Sequence, residues 1–246
     1  MTHPFFEFFK KNRPEIDLDP TKWPCPWRRE NVRWKLYRRS PAIKLPKPEL
    51  GKITLEKALT SRMSRREFSD KSVDISDLGA VLGWSAGFIG KDPNPALSRR
   101  PYPSGGAAYP VELYLLAFNV VGADAGAYHY NNVDHSLENI IHADVGALKQ
   151  SFHYDFVKKA AAVIVFSFIK ERSFVKYGNL SFKFGLIEAG HLGQNIYLVS
   201  EALGIGCSAI GAMQDEILHR ELDLVAERET VFYAIALGYV DNHSTG

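Results

Sequence analysis

Three short stretches of this chain carry side chains whose types and spacing suit chemistry on a bound ligand. In LTSRMSRREFSD, Arg62, Ser64, Arg65 and Arg66 crowd together where a predicted helix runs out into a loop. Guanidinium groups and a hydroxyl hold a phosphate through charge-assisted, partly bidentate bonds, although an ordinary basic helix end has the same composition. In RPYPSGGAAYP, Pro103, Ser104, Gly105 and Gly106 form a segment in which glycine permits close backbone approach to a flat ligand, or simply a turn. The third stretch is the adjacent pair Lys176-Tyr177. A lysine brought to its neutral form by burial or by a nearby cation can act as a general base. Arg172, four residues earlier, would share a face with Lys176 if the segment were helical.

Other chemistries fare worse. Gly204, Gly206 and Ala209 spell G-x-G-x-x-A, but that fingerprint needs a strand before it and a helix after it. Here the order is reversed, and Gly204 reads as the glycine that ends a helix. Glu188 and His191 make one E-x-x-H, half of a di-iron pair whose second half is missing. His129, His135 and His153 have no ligand spacing, so no metal site is expected. Ser104 lies in P-S-G-G and not in a nucleophile elbow, which disfavours serine hydrolysis. The two cysteines, Cys25 and Cys207, are far apart. That argues against a disulfide framework or zinc site and fits a reducing, cytoplasmic setting. The start of the chain lacks a signal-peptide pattern. The apolar segment 182–203 contains Lys183, Glu188, His191 and Glu201, too polar to span a bilayer.

The elements that must position these residues belong to an ordinary globular chain of 246 residues, 46% hydrophobic and 24% charged. A net charge of +2 conceals an asymmetry, since residues 1–50 hold twelve Lys/Arg against six Asp/Glu. There Trp23, Trp27, Trp34 and Tyr37 alternate with cations, a pattern that can bind single-stranded nucleic acid. The near-neutral whole favours instead an irregular arm that packs on the body of the same domain, 51–246. Helices are expected from Thr54, which can cap the first, and from Ser76. Residues 87–110 read as a long loop. Strands follow at VELYLLAFNV and AYHYNN, paired across GADAG, then short helical turns and a buried strand at 160–169. A long central helix over 180–203, a turn and short strand at GIGCSAIG, a helix at QDEILHREL and a last strand at TVFYAIALGYV complete an α+β domain with a mixed sheet flanked by helices.

Six segments in one order, SPAIKLP, RMSRREF, RRPYPSGGAAYPVELYLLAFNV, GAYHYN, RSFVKYGNLSFKFGLIEAGHLGQNIYLVSEALGIG and YAIALGYV, resemble the nitroreductase superfamily. The resemblance is specifically to its SagB/McbC-like branch of azoline dehydrogenases and covers nearly the whole chain. It implies a homodimer with FMN in each of two interfacial clefts. Arg62, Ser64 and Arg66 would then contact the FMN phosphate, ribityl chain and pyrimidine edge. Pro103, Ser104 and Gly105 would lie against the isoalloxazine, with Ala209, Ile210 and Gly211 near its other side. A single basic cluster suits one terminal phosphate, hence FMN rather than FAD. The basic pair that simpler nitroreductases carry near the C-terminus is missing from YVDNHSTG, which leaves Lys183 as a candidate third cation.

The resemblance further implies oxidation of a thiazoline or oxazoline ring in a modified peptide to the azole, with Lys176 as general base and Tyr177 assisting. A biosynthetic cyclodehydratase would be a partner. Two alternatives stay open: an NAD(P)H-dependent nitro- or quinone reductase, and a peptide- or nucleic-acid-binding module with a degenerate flavin cleft.

Overall fold

The structure, a computed structural model, describes residues 35–89 and 99–241. Trp23, Trp27, Trp34, Cys25 and most of the expected arm lie outside the described residues. What is described of the arm is partly regular. Strand β1 (Ala42–Lys44) adds an edge to the main sheet by pairing antiparallel with β6 (Ser136–Asn139). The sequence hid this strand because three residues between prolines show no readable alternation.

Helix α1 (Leu55–Ser61) is capped as expected, with Thr54 Oγ1 accepting the Lys57 N–H at 3.2 Å. The short strand β2 (Val73–Asp74) leads directly into α2 (Ile75–Ala86), whose cap is Asp74. The sequence puts the start at Ser76, but its N–H and hydroxyl both donate to Asp74 Oδ1, so Asp74 is the cap and the helix begins one residue earlier, at Ile75. Strand β3 (Val111–Ala117), the short β4 (Val120–Val121) and β5 (Gly126–Asn131) follow. β3 and β5 pair antiparallel across the GADAG turn, Tyr114 opposite His129. After β6 come α3 (Val145–Gln150), α4 (Asp155–Lys158), β7 (Ala162–Ile169), α5 (Phe174–Tyr177) and α6 (Leu180–Leu203). β8 (Gly206–Ile210), α7 (Asp215–Glu221) and β9 (Glu229–Gly238) end the fold.

The main sheet has seven strands in the order β1-β6-β5-β3-β7-β9-β8 and is antiparallel throughout. The parallel component of the mixed β structure is the separate pair β2–β4. Alternation along the central strands divides the core. Leu113, Leu115, Ile164 and Phe166 face Leu78 and Leu82 of α2 and Leu192 and Ile196 of α6. Tyr114, Leu116, Val163 and Val165 face Leu148 of α3, Val157 of α4 and Leu218 of α7. Both sheet faces are therefore covered, which is why β3 and β7 read as continuous apolar runs.

Helix α6 ends where Gly204 adopts the left-handed conformation at φ 69°. It also lies unusually close to the sheet. A Cβ on Gly185 would fall 2.5 Å from Phe168 Cδ2 and 2.7 Å from Cε2, against a buried ring that meets Phe182 edge-on. Alanine normally stabilises a helix interior relative to glycine by about 1 kcal/mol, but the overlap here costs about 1–3 kcal/mol. Gly185→Ala should therefore lower stability despite its better helix propensity, by several degrees in thermal unfolding. A variant melting at or above the parent would show that α6 does not depend on this close approach.

Candidate active site

Two clusters of the sequence-predicted residues form on different turns of α6. The first gathers around Tyr197. Its hydroxyl accepts the Ala209 N–H at 2.9 Å and lies 2.9 Å from Ser64 Oγ. A tyrosine oxygen that accepts from Ala209 can give its one hydrogen to Ser64, which leaves the Ser64 hydrogen for an anion. The Arg62 guanidinium lies 5.3 Å from the centre of the same ring, and that of Arg66 lies 5.9 Å from the Phe156 ring. Arg65 is tied differently: its backbone N–H donates to Cys207 O and its side chain pairs with Glu201 at 3.2 Å. Among the described residues Arg62 and Arg66 pair with no carboxylate. A cleft of about 340 Å³ lies along Met63, Ser64, Arg65, Arg66, Glu67 and Val240. Two guanidiniums without a counter-charge, a hydroxyl and a cleft fit a phosphate-bearing ligand. Ile210 is buried at the end of β8 and Gly211 is exposed just beyond it.

The second cluster joins the P-S-G-G loop to the lysine–tyrosine pair. Gly106 has φ 63°, and a Cβ there would stand 2.5 Å from Tyr177 Oη and 2.9 Å from Lys176 Nζ. Glycine thus serves both the left-handed backbone and the close approach. Gly105 backs onto Phe184, whose ring meets Tyr177 edge-on at 4.9 Å between centroids. Lys176 Nζ lies 5.0 Å from the Tyr177 ring centre. The loop carries two further positive φ values on ordinary residues, Ala107 (51°) and Tyr109 (47°). Such conformations persist only where surroundings hold them. Here Ser104 Oγ accepts the Tyr109 N–H at 2.8 Å, and the fully buried Arg172 donates to Tyr109 O at 2.8 Å.

Arg172 belongs to a buried polar chain that the sequence reading missed. Its guanidinium pairs with Glu112 on β3, and Glu112 lies 3.0 Å from His129 Nε2, whose Nδ1 lies 2.9 Å from Glu138 on β6. Burial alone would raise Glu112, but Arg172 and His129 outweigh it and hold the carboxyl well below the usual range. Burial would likewise lower His129, yet its bonds to Glu112 and Glu138 raise it. The expected helical face through Arg172 and Lys176 does not form. Ser173, at φ −133°, separates a single turn from α5, and the Arg172 charge is met by Glu112. Lys183 stands apart from the basic corner of its own chain. It is exposed fourteen residues before Tyr197, roughly 21 Å along the helix, so within one chain it does not join Arg62 and Ser64. A glutamate in the otherwise apolar run of β3 was the available signal for the buried network. Nothing local marked Tyr197 as the link between Ser64 and Ala209.

The sheet is covered on both faces, and α6 carries the basic corner on one turn and backs the glycine loop on another. The profile described as Nitroreductase family matches residues 59–239, and the chain belongs to that family of flavin-dependent oxidoreductases. A protein of Methanocaldococcus jannaschii named as a nitroreductase is 31% identical over 183 residues, covering 72% of this chain and 88% of the relative. The microcin B17-processing protein McbC of Escherichia coli is 30% identical over 54% of this chain and 51% of its own. The trifolitoxin-processing protein TfxB of Rhizobium leguminosarum is 28% identical over 59% of this chain and 41% of its own. The chain thus spans about half or less of these two processing proteins in the matched region, and their likeness places it on the SagB/McbC-like side of the family.

Among solved structures, a nitroreductase-type protein from Ralstonia eutropha superposes with a TM-score of 0.69 at 26% identity, covering 85% of this chain and 97% of that one. The E. coli microcin synthetase McbBCD complex with truncated pro-MccB17 bound gives 0.63 at 22% identity, covering 98% and 95%. A protein from Desulfovibrio desulfuricans in complex with FMN gives 0.55 at 18% identity, covering 79% and 91%. The last two speak for the fold. No helix among the described residues is long and apolar enough to cross a membrane.

Glu112→Gln keeps the shape of the network but leaves Arg172 buried without its counter-charge, which should cost about 3–5 kcal/mol at neutral pH. A carboxyl held below its ordinary value of 4.5 stabilises the fold above that pH and loses this contribution as the pH falls through its folded-state value. The difference between parent and variant in denaturant titrations should therefore shrink on acidification. A difference constant at every pH would contradict an ionised Glu112.

Proposed function

We propose that this chain is an FMN-dependent dehydrogenase that converts thiazoline or oxazoline rings of a modified peptide to azoles. The observation that carries the reading is the close packing of Tyr177 Oη and Lys176 Nζ over Gly106, where a Cβ would find no room. It sets an amine and a hydroxyl against the loop on which the flavin ring would lie, in a chain related to McbC and TfxB. FMN, when bound, supplies the two-electron acceptor for the hydride that leaves the ring. Arg62 and Arg66 would hold its phosphate, with Ser64 donating its free hydrogen. Pro103, Ser104 and Gly105 would line one face of the ring, and Ala209, Ile210 and Gly211 the other. Lys176 Nζ would take the proton from the ring carbon, and Tyr177 would orient the azoline by its hydroxyl. Aromatisation makes the product stable.

The two clusters stand on α6 at Glu188, which neighbours Ser104, and at Tyr197, nine residues on, roughly 13 Å apart along the axis. Phe182, Leu186 and Ile187 of α6 and Leu55, Leu59 and Met63 nearby are exposed apolar side chains. A symmetric dimer would cover them and let the corner of one chain and the loop of the other complete each site. The named McbBCD assembly supports a cyclodehydratase partner, and a cytoplasmic setting goes with that reading. The M. jannaschii relative, which spans more of this chain than McbC does, favours a second reading as an NAD(P)H-dependent reductase on the same scaffold.

Arg62→Ala with Arg66→Ala should give a folded protein that purifies largely free of flavin. Stoichiometric flavin in that double variant would remove both residues from the site. Lys176→Ala should retain fold and flavin while slowing azoline oxidation about 100-fold or more, with a smaller effect from Tyr177→Phe. Product formation followed by mass spectrometry decides this, and an undiminished rate in Lys176→Ala would make the pair structural. Light scattering should find a dimer at low micromolar concentration, and a stable flavin-loaded monomer would contradict the shared cleft.

A further inference from the structure

Glu188, which the proposed reaction leaves idle, lies directly beneath the P-S-G-G loop with 2% of its surface exposed. Its Oε1 accepts a long bond from the Val111 N–H at 3.4 Å, and the Ser104 hydroxyl stands beside the carboxyl. Oε2 has no well-formed hydrogen bond among the described residues. The charged and titratable groups that face it are Arg100 and Tyr102 from the approach to the loop and Arg172 from the turn after β7. None of these compensates it fully. Arg172 is matched by Glu112, while Arg100 donates to Tyr102 Oη at 2.9 Å and stacks on the Tyr109 ring at 4.6 Å. Burial pushes Glu188 up to about 7, against the opposing pull of Ser104 and Arg100.

The hydrogen bonds of Ser104 make this proton consequential. A serine hydroxyl has one hydrogen and two lone pairs. The Tyr109 N–H occupies one lone pair. An ionised Glu188 only accepts, so it draws the Ser104 hydrogen inward. A protonated Glu188 donates into the remaining lone pair, and the Ser104 hydrogen is then available on the outer side of the loop. We propose that Glu188 is a positioning residue whose own proton sets whether Ser104 turns its hydrogen inward or offers it to a hydrogen-bond acceptor on a flat heteroaromatic ligand lying over Pro103–Gly105. The inward half is a property of the chain alone; the outward half rests on the flavin reading of the loop.

Infrared pH titration of the purified protein, alongside FMN dissociation constants over the same range, tests both halves. A carboxylic-acid band should disappear with a midpoint near 7, be absent from Glu188→Gln, and move to higher pH in Ser104→Ala, because removing a donor disfavours the carboxylate. The FMN dissociation constant should rise severalfold through the same midpoint. In Glu188→Gln it should stay low and independent of pH, since the amide donates to Ser104 as the acid does. No carboxyl band titrating between about pH 6 and 8, or a band unmoved in Ser104→Ala, overturns the coupling. A pH dependence of FMN binding that survives in Glu188→Gln overturns the outward half. If the infrared behaviour holds while FMN binds at no pH, the flavin reading of the loop fails and the inward half stands.

Discussion

A guanidinium with no exposed surface, Arg172, ties the glycine loop of this fold to the centre of its sheet. It pairs with Glu112 on the central strand and donates to the carbonyl of Tyr109, and it closes the single turn that precedes α5, the helix of Lys176 and Tyr177. One residue thus ties the end of the glycine loop to the central strand just ahead of α5. A buried ion pair is rarely a net source of stability, but losing either partner leaves a charge stranded, so the geometry is enforced. Glu112 is held in turn by His129, and His129 by Glu138, so the constraint runs across three strands. The strained backbone at Ala107 and Tyr109 is tolerated because it is braced from this side.

Helix α6 supplies the second constraint. It is drawn against the sheet at Gly185 and Gly193, where Phe168 and Tyr233 leave no comfortable room for a side chain. From that fixed position it presents Glu188 beneath the loop and Tyr197 beneath the basic corner. The spacing between the two is set by the helical rise and not by any loop. On its other side the same helix leaves Phe182, Leu186 and Ile187 exposed.

Much of this was legible in the sequence, and the reasons are specific. The apolar runs of β3 and β7, the Thr54 cap and the helix-ending Gly204 are local signals, and each holds in the structure. Arg62, Ser64 and the P-S-G-G loop could be singled out because anion binding and close backbone approach demand particular residue types. The edge strand β1 was not readable, since its three residues gain their register from β6, almost a hundred residues away. Arg172 was read as a neighbour of Lys176 along one helix, and only the tertiary pairing with Glu112 reveals its buried role. Glu188 was weighed as half of a metal motif. Its meaning depends on Ser104, which the fold brings to it from eighty-four residues earlier in the chain.

If the Lys176–Tyr177 pair and the glycine loop form a site for oxidising a ring already present in the substrate, as proposed, electrons enter from the substrate itself. The most direct measurement is anaerobic mixing of the flavin-loaded protein with an azoline-containing peptide, without NADH or NADPH, while the flavin absorbance is recorded. The oxidised flavin should bleach by one equivalent per ring oxidised. An unchanged spectrum with the peptide, together with rapid bleaching by NADH or NADPH alone, would contradict it and leave the reductase reading in its place.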